Sequence, residues 1–316
     1  MKTKFTFLLS LIVCVATQSF AGLTLDVPYS QNPSITTPQI TGTYTNSTSN
    51  TYDNLWLYEA NLTCSGTSKN LVVGTTNSAG LTVGGGTYIV AVEGNSSLTI
   101  KDGASFIIYS SASFGIINGA DEFTLTIEST ANKFRAHKLF SNAKTTTLNL
   151  WKEYGISEKK MVVGVAGGQR ELVINMNCNQ SFALDSRANS IYSVNITNDA
   201  LFTVTGVSLL NDDSGTVTFK IENGLLDGSM MFLTDDSFYS NTYLWSESDS
   251  RLTINSGSKK QIASFVDVDG NALQNLKWEA VDGGYKLYGV AVPEPAEWAM
   301  ILGALALCLA IYRRRK

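Results

Sequence analysis

The chain has 316 residues, 44% of them hydrophobic, and a formal net charge of −4. Of its 23 basic and 27 acidic residues, six cations lie at the two ends; setting these aside, with Glu294 and Glu297, leaves 17 basic against 25 acidic residues between them. So acidic a central region disfavours nucleic acid and anionic lipid as its partners, because both need a positive surface.

Residues 1–21 read as a signal helix for export. Lys2 and Lys4 form a positive start, Phe7 to Val15 is apolar apart from Ser10, and Ser19 and Ala21 are the small residues a signal peptidase requires three and one positions before its cut. The Sec translocon and signal peptidase are the partners this implies. The apolar run is short for the roughly 30 Å of a bilayer core, which favours cleavage before Gly22 over an uncleaved anchor. Residues 22–50 are rich in Ser, Thr, Asn and Pro without periodicity and predict an irregular entry segment or an edge strand.

Residues 51–291 predict an all-β exported domain. Short β-branched and aromatic runs, such as Leu71 to Gly74, Thr87 to Val92, Phe106 to Tyr109, Phe202 to Val204 and Val217 to Ile221, alternate with Gly, Asn, Asp and Ser clusters. Apolar-x-apolar triplets recur at Leu98 to Ile100, Leu125 to Ile127, Leu148 to Leu150, Leu172 to Ile174, Val194 to Ile196, Val217 to Phe219 and Leu252 to Ile254. Up to Phe219 their spacing of about 22 to 27 residues suits one turn of a solenoid, each coil burying its inward side chains on the next. The last, wider interval requires an inserted loop or a break, and Leu81 to Val83 fits no period. Corners are expected at Asp102-Gly103, Asn198-Asp199 and Ser256-Gly257, residues that tolerate left-handed backbone. The fold expected is a right-handed parallel β-helix, with a β-sandwich as the alternative.

Chemistry is sparse in this pattern. His137 is the one histidine of the chain and sits in the basic stretch Lys133 to Lys138, which removes most metal sites. No cofactor motif is present, and no catalytic residue is assigned. Asp121 with Glu122, Asp212 with Asp213, and Asp235 with Asp236 are adjacent acids. Neighbours on a strand point to opposite faces, so a working carboxylate pair would have to join different coils. Asp267, Asp269 and Asn271 offer oxygens at alternate positions like the start of a calcium loop, but Ala272 stands where that loop needs glycine, and Glu279 comes one residue late. Cys64 and Cys178 are the cysteines of the exported region, and the sequence leaves open whether they pair.

The final segment, residues 292–316, carries the sharpest pattern. Pro293, Glu294 and Pro295 precede an uncharged run from Trp298 to Tyr312, expected as a membrane-spanning helix over 296–312, and Arg313, Arg314, Arg315 and Lys316 form a stop-transfer end. This arrangement resembles the PEP-CTERM sorting signal of Gram-negative bacteria. The resemblance implies an exosortase-like membrane peptidase as partner, with Pro293, Glu294 and Pro295 as recognition element. It further implies transient hold in the inner membrane, then release to the cell surface or outside. A plain tail anchor with a proline hinge is the simpler alternative. For the exported region the expectation is a structural, adhesive or polysaccharide-binding role, exopolysaccharide being the partner, against the alternative of a carbohydrate-active β-helix enzyme.

Overall fold

The structure is a computed structural model that describes residues 23–24, 39–74, 81–83, 86–108, 114–116, 121–128, 134–153, 161–165, 169–187, 189–209, 216–234, 239–291 and 295–314. Ser19, Ala21, Pro293, Glu294, Arg315, Lys316 and the acid pairs at 212–213 and 235–236 lie outside the described residues. Within them the chain is mostly β, and 21 strands form one large mixed sheet wound into a nearly closed, solenoid-like arrangement.

Period-2 alternation drives the winding. In strand Glu122–Ile127 the residues Phe123, Leu125 and Ile127 are buried while Thr124 and Thr126 face outward, and Thr145–Leu150, Glu171–Met176 and Ile191–Ile196 repeat the pattern. A strand with one apolar face needs a cover, which the other sides of its own coil provide. The coils before and after it satisfy its backbone groups by parallel pairing.

On the first face, strands Gln39–Asn46, Leu55–Cys64, Ser96–Ile100, Glu122–Ile127, Thr145–Leu150, Glu171–Met176, Ile191–Ile196, Thr216–Ile221 and Lys259–Val266 pair in parallel succession. Their register stacks Leu62, Leu98, Leu125, Leu148, Ile174, Val194 and Ile221 in one buried column. A second face stacks Leu55, Val90, Phe114, Leu139, Val163, Leu184 and Val207 in the same way. After the first corner of the early coils comes a separate four-stranded parallel sheet, where Leu71, Phe106 and Phe134 are in register. In later coils that place is taken by the starts of Gln180–Ser186 and Ala200–Leu209 and by Gly228–Leu233. Pairing between these coils is parallel, which is not the pairing of an antiparallel sandwich.

Several expected features fall where the spacing puts them. The triplets Leu98 to Ile100, Leu125 to Ile127 and Leu148 to Leu150 are in register. Beyond them the register slips: Leu148 aligns with Ile174 rather than Leu172, and Val194 with Ile221 rather than Val217. Leu172 and Val217 are inward too, so any of the alternating positions passes the triplet test. Asp102 and Gly103 (φ 55° and 78°) and Asn198 and Asp199 (φ 62° and 55°) are left-handed corners. Gly257 (φ 60°) instead turns an antiparallel hairpin, because strand Arg251–Ser256, which holds the last triplet, pairs antiparallel with Lys259–Val266 and leaves the coil series. Leu81–Val83 likewise forms a small antiparallel hairpin with Gly86–Tyr88.

Antiparallel strands close the C-terminal end of the stack. Gly284–Gly289 pairs with Gly228–Leu233 on one side and Leu276–Val281 on the other, while Thr242–Ser246 pairs with Arg251–Ser256. Trp278 stacks on Trp245 (5.7 Å) and on Tyr285 (5.0 Å), and together with Tyr243 these rings cover Phe232 and Phe265 of the last coil. Gly289 lets the last cap strand approach the turn that follows Thr216–Ile221, since a Cβ there would stand 2.0 Å from the Gly224 carbonyl oxygen. At the opposite end Gln39–Asn46, expected as part of the entry segment, is the first strand of the parallel stack, and Leu23–Thr24 pairs antiparallel with its outer edge.

Past the cap, Pro295–Arg314 is a 20-residue helix (α1) that begins at the second proline of the motif, a position where its missing N–H costs nothing. Its residues from 299 onward are exposed. Among the described residues no helix is long and apolar enough to cross a membrane, in contrast to the spanning helix expected over 296–312. The physical reason is the short uncharged run. The 15 residues between Glu297 and Arg313 extend about 22 Å at 1.5 Å each, less than a bilayer's hydrocarbon core.

Candidate functional site

The outward positions of the first face form two straight columns of short polar side chains. One runs Thr45, Thr63, Thr99, Thr126, Asn149, Asn175 and Asn195, each in register with the next. The other begins Thr43, Asn61, Ser97, Thr124 and Thr147 before Val173 interrupts it. Threonine suits an outward strand position through its β-branch, and stacking coils at about 4.8 Å sets like hydroxyls side by side.

The two ends of the first column behave differently. Toward the C-terminus the amides bond to one another, Asn175 Nδ2 donating to Asn149 Oδ1 at 2.9 Å and Asn149 Nδ2 to Thr126 Oγ1 at 3.2 Å. The chain of bonds stops at Asn195, whose Oδ1 is buried without a hydrogen-bond partner. Among the described residues the hydroxyls of Thr45, Thr63 and Thr99 make no side-chain hydrogen bond and face outward.

Beside Asn195 the strip deepens into a groove of about 210 Å³ lined by Glu171, Asn175, Ser193, Asn195, Lys220 and Glu222. These side chains come from three neighbouring strands, Glu171–Met176, Ile191–Ile196 and Thr216–Ile221, together with the turn that follows the last of them. Ser193 Oγ donates to Glu171 Oε1, which fixes that carboxylate against the strip. Val268 walls one end from the loop after Lys259–Val266. The groove thus offers two carboxylates, an ammonium, amides and an apolar wall, the donor and acceptor set that hydroxyl-rich ligands use.

The residues singled out in sequence behave otherwise. Asp267 is folded into its own loop: Oδ1 accepts the N–H groups of Asp269 (2.9 Å) and Asn271 (2.8 Å), and Asn271 Nδ2 donates to Oδ2 at 3.1 Å. These bonds, the Asn271 N–H foremost, hold the Asp267 carboxyl below its usual range. The three calcium candidates therefore form a side-chain-closed turn around Gly270 (φ 88°), and among the described residues no three His, Cys, Asp or Glu side chains gather as a metal group. Asp121 and Glu122 are exposed, their N–H groups both donating to Asn95 Oδ1 at 3.0 Å across the coil corner. His137 is half-buried beside the second face. Cys64 and Cys178 are both free thiols; Cys64 is inward on the first face, in register with Ile100, and burial pushes its thiol up to about 12.

Sequence reasoning did not find Glu171, Lys220 and Glu222 as a group. The signal was present in the alternation, since Glu171 and Lys220 are outward positions two coils apart and Glu222 follows Lys220 at the turn, but their juxtaposition depends on the register slips after Leu148. No protein-family model matches the chain, and a search of curated proteins finds none that matches it.

Proposed function

We propose that this is an exported, non-enzymatic surface or matrix protein whose central region is a right-handed parallel β-helix, and that it binds polysaccharide along the polar strip of its first face. The observation that carries this reading is the unbroken seven-residue column from Thr45 to Asn195, with its outward hydroxyls and the unpartnered Asn195 oxygen at the groove. A glycan chain lying across the coils would meet a hydroxyl or amide about every 4.8 Å, and the groove would take one ring or branch. Retention of the protein on an insoluble exopolysaccharide, and its loss when Thr63, Thr99 and Asn195 are replaced by Val, Val and Leu, is the direct test. Unchanged retention of the triple variant would remove the strip from the binding surface.

Export by the N-terminal signal and sorting by the tail belong to the same proposal. The signal would use the Sec translocon and signal peptidase, and an exosortase-like peptidase would recognise Pro293, Glu294 and Pro295. Helix α1 would be held transiently in the inner membrane, its arginines reaching the interface to offset the short apolar run. Replacing the three motif residues by alanine should leave a membrane-retained, unprocessed protein, read by fractionation and intact mass. Identical mass and location in the variant would sink the sorting claim.

A second reading, a carbohydrate-active enzyme, draws on Glu171 facing one groove with Lys220 and Glu222, which come from a coil two further on. Hydrolysis or elimination products released from polysaccharide by the wild type, and abolished in Glu171→Gln and Glu222→Gln, would favour it over passive binding.

A further inference from the structure

The outward side of the second face holds a group of side chains that the polar strip does not involve. Phe140, Gly164 and Asp185 are in register on three successive coils. Gly164 opens a notch, since a Cβ there would stand 2.4 Å from Asp185 Cβ, and the Asp185 side chain lies in it at 1% exposure. Lys138 Nζ is 3.2 Å and Arg187 Nη2 3.9 Å from the same carboxylate oxygen. Both cations lie over the Phe140 ring, the guanidinium carbon at 4.4 Å and the ammonium at 5.3 Å from its centroid.

The arrangement is unbalanced. Two cations share one carboxylate, neither Asp185 oxygen has a hydrogen bond of good geometry, and Arg187 Nε is buried without a partner. Both cationic side chains nonetheless remain about one-third exposed, at 34% and 31%. With its carbon over the Phe140 ring and its side chain about one-third exposed, the Arg187 guanidinium still presents terminal N–H donors that suit a planar carboxylate, and the neighbouring ammonium adds another donor. Asp185 acts beneath them as an anchor that places the cations without neutralising both.

We propose that Lys138 and Arg187, positioned by Phe140 and Asp185, bind the carboxylate of an acidic sugar, so that the polysaccharide recognised by this protein carries uronate residues. This rests on the polysaccharide reading above and adds the charge of the ligand to it. It also places a cationic point on a region whose overall charge is acidic, where it would select for ligand carboxylates against the general repulsion.

The test is calorimetric titration of the full chain with an oligogalacturonate and with a neutral oligoglucan of equal length, at low and high salt. The oligogalacturonate should bind more tightly, and salt should remove that advantage. Lys138→Met and Arg187→Met should each weaken oligogalacturonate binding by about tenfold while leaving the neutral ligand unaffected. Asp185→Asn, which keeps the side chain's shape and an acceptor oxygen in the notch while removing its competing charge, should strengthen oligogalacturonate binding, a sign that a purely structural ion cluster would not give. Equal binding of both ligands with unchanged variants would overturn the uronate site alone. Binding of neither would overturn both this site and the polysaccharide reading. Thermal unfolding of each variant confirms that a loss is local, and a lower affinity in Asp185→Asn with an unaltered melting temperature would also overturn the proposal.

Discussion

Asp185 gives the folded protein a pH dependence whose sign follows from its surroundings. Burial raises its carboxyl above the usual range, and Lys138 and then Arg187 pull it back only in part. The native state therefore keeps its proton to higher pH than the unfolded chain does, and the stability contributed by the protonated form is complete below about pH 4 and declines as pH rises through the native value. Denaturant unfolding from pH 3.5 to 7 should show the wild type losing stability relative to Asp185→Asn as pH increases. A relative gain over that window would mean that the two cations outweigh desolvation. Asp267 carries the opposite sign, its carboxyl lowered by loop N–H groups, so whatever it contributes is lost on acidification below the ordinary carboxylate range. In the polar strip, Asn175→Ala removes a bond to Asn149 and should cost about 1 kcal/mol, read from the denaturation midpoint at constant slope.

Among the elements, the coil strands were legible and the cap was not. Alternation in Glu122–Ile127 or Thr145–Leu150 declares one buried face, and the turn residues Asp102 and Asn198 declare corners, because both signals are local. The partner of each strand is set by register, which is decided by how the whole coil closes, so Leu172 and Ile174 cannot be told apart from within their own strand. The cap strands Leu276–Val281 and Gly284–Gly289 lack the strict alternation of the coil strands, and nothing local in them declares their antiparallel pairing. The groove suffered from the same limit: Glu171 and Lys220 are ordinary outward residues until the register brings their coils together. Aromatic packing makes the cap testable. Trp278 contacts Trp245, Tyr285, Tyr243 and Phe232, and Trp278→Ala should destabilise the protein by about 2 to 4 kcal/mol and expose the last coil, detectable as increased dye binding. An unaltered melting temperature would show that the rings do not hold the end of the stack.

For the whole molecule, stability should be distributed along the stack, because each coil touches mainly the one before and the one after. Leu125→Ala in the middle of the column leaves a cavity between two coils and should cost about 2 to 5 kcal/mol, with hydrogen exchange accelerated most at its neighbours Leu98 and Leu148. Uniform acceleration across all coils would indicate a single cooperative unit instead. Deleting residues from 240 onward removes the cap and leaves Gly228–Leu233 and Thr216–Ile221 with open edges, so this truncated protein should associate more strongly than one ending at residue 291, measured by light scattering.

The position of Gly284–Gly289 has a mechanical meaning. It is the last strand before α1 and the middle one of three, hydrogen-bonded on both sides to Gly228–Leu233 and Leu276–Val281. A chain gripped at its carboxyl end transmits tension into that strand first, so two rows of hydrogen bonds must give way before any coil can unwind. The cap therefore works as a clasp between the tail and the stacked coils.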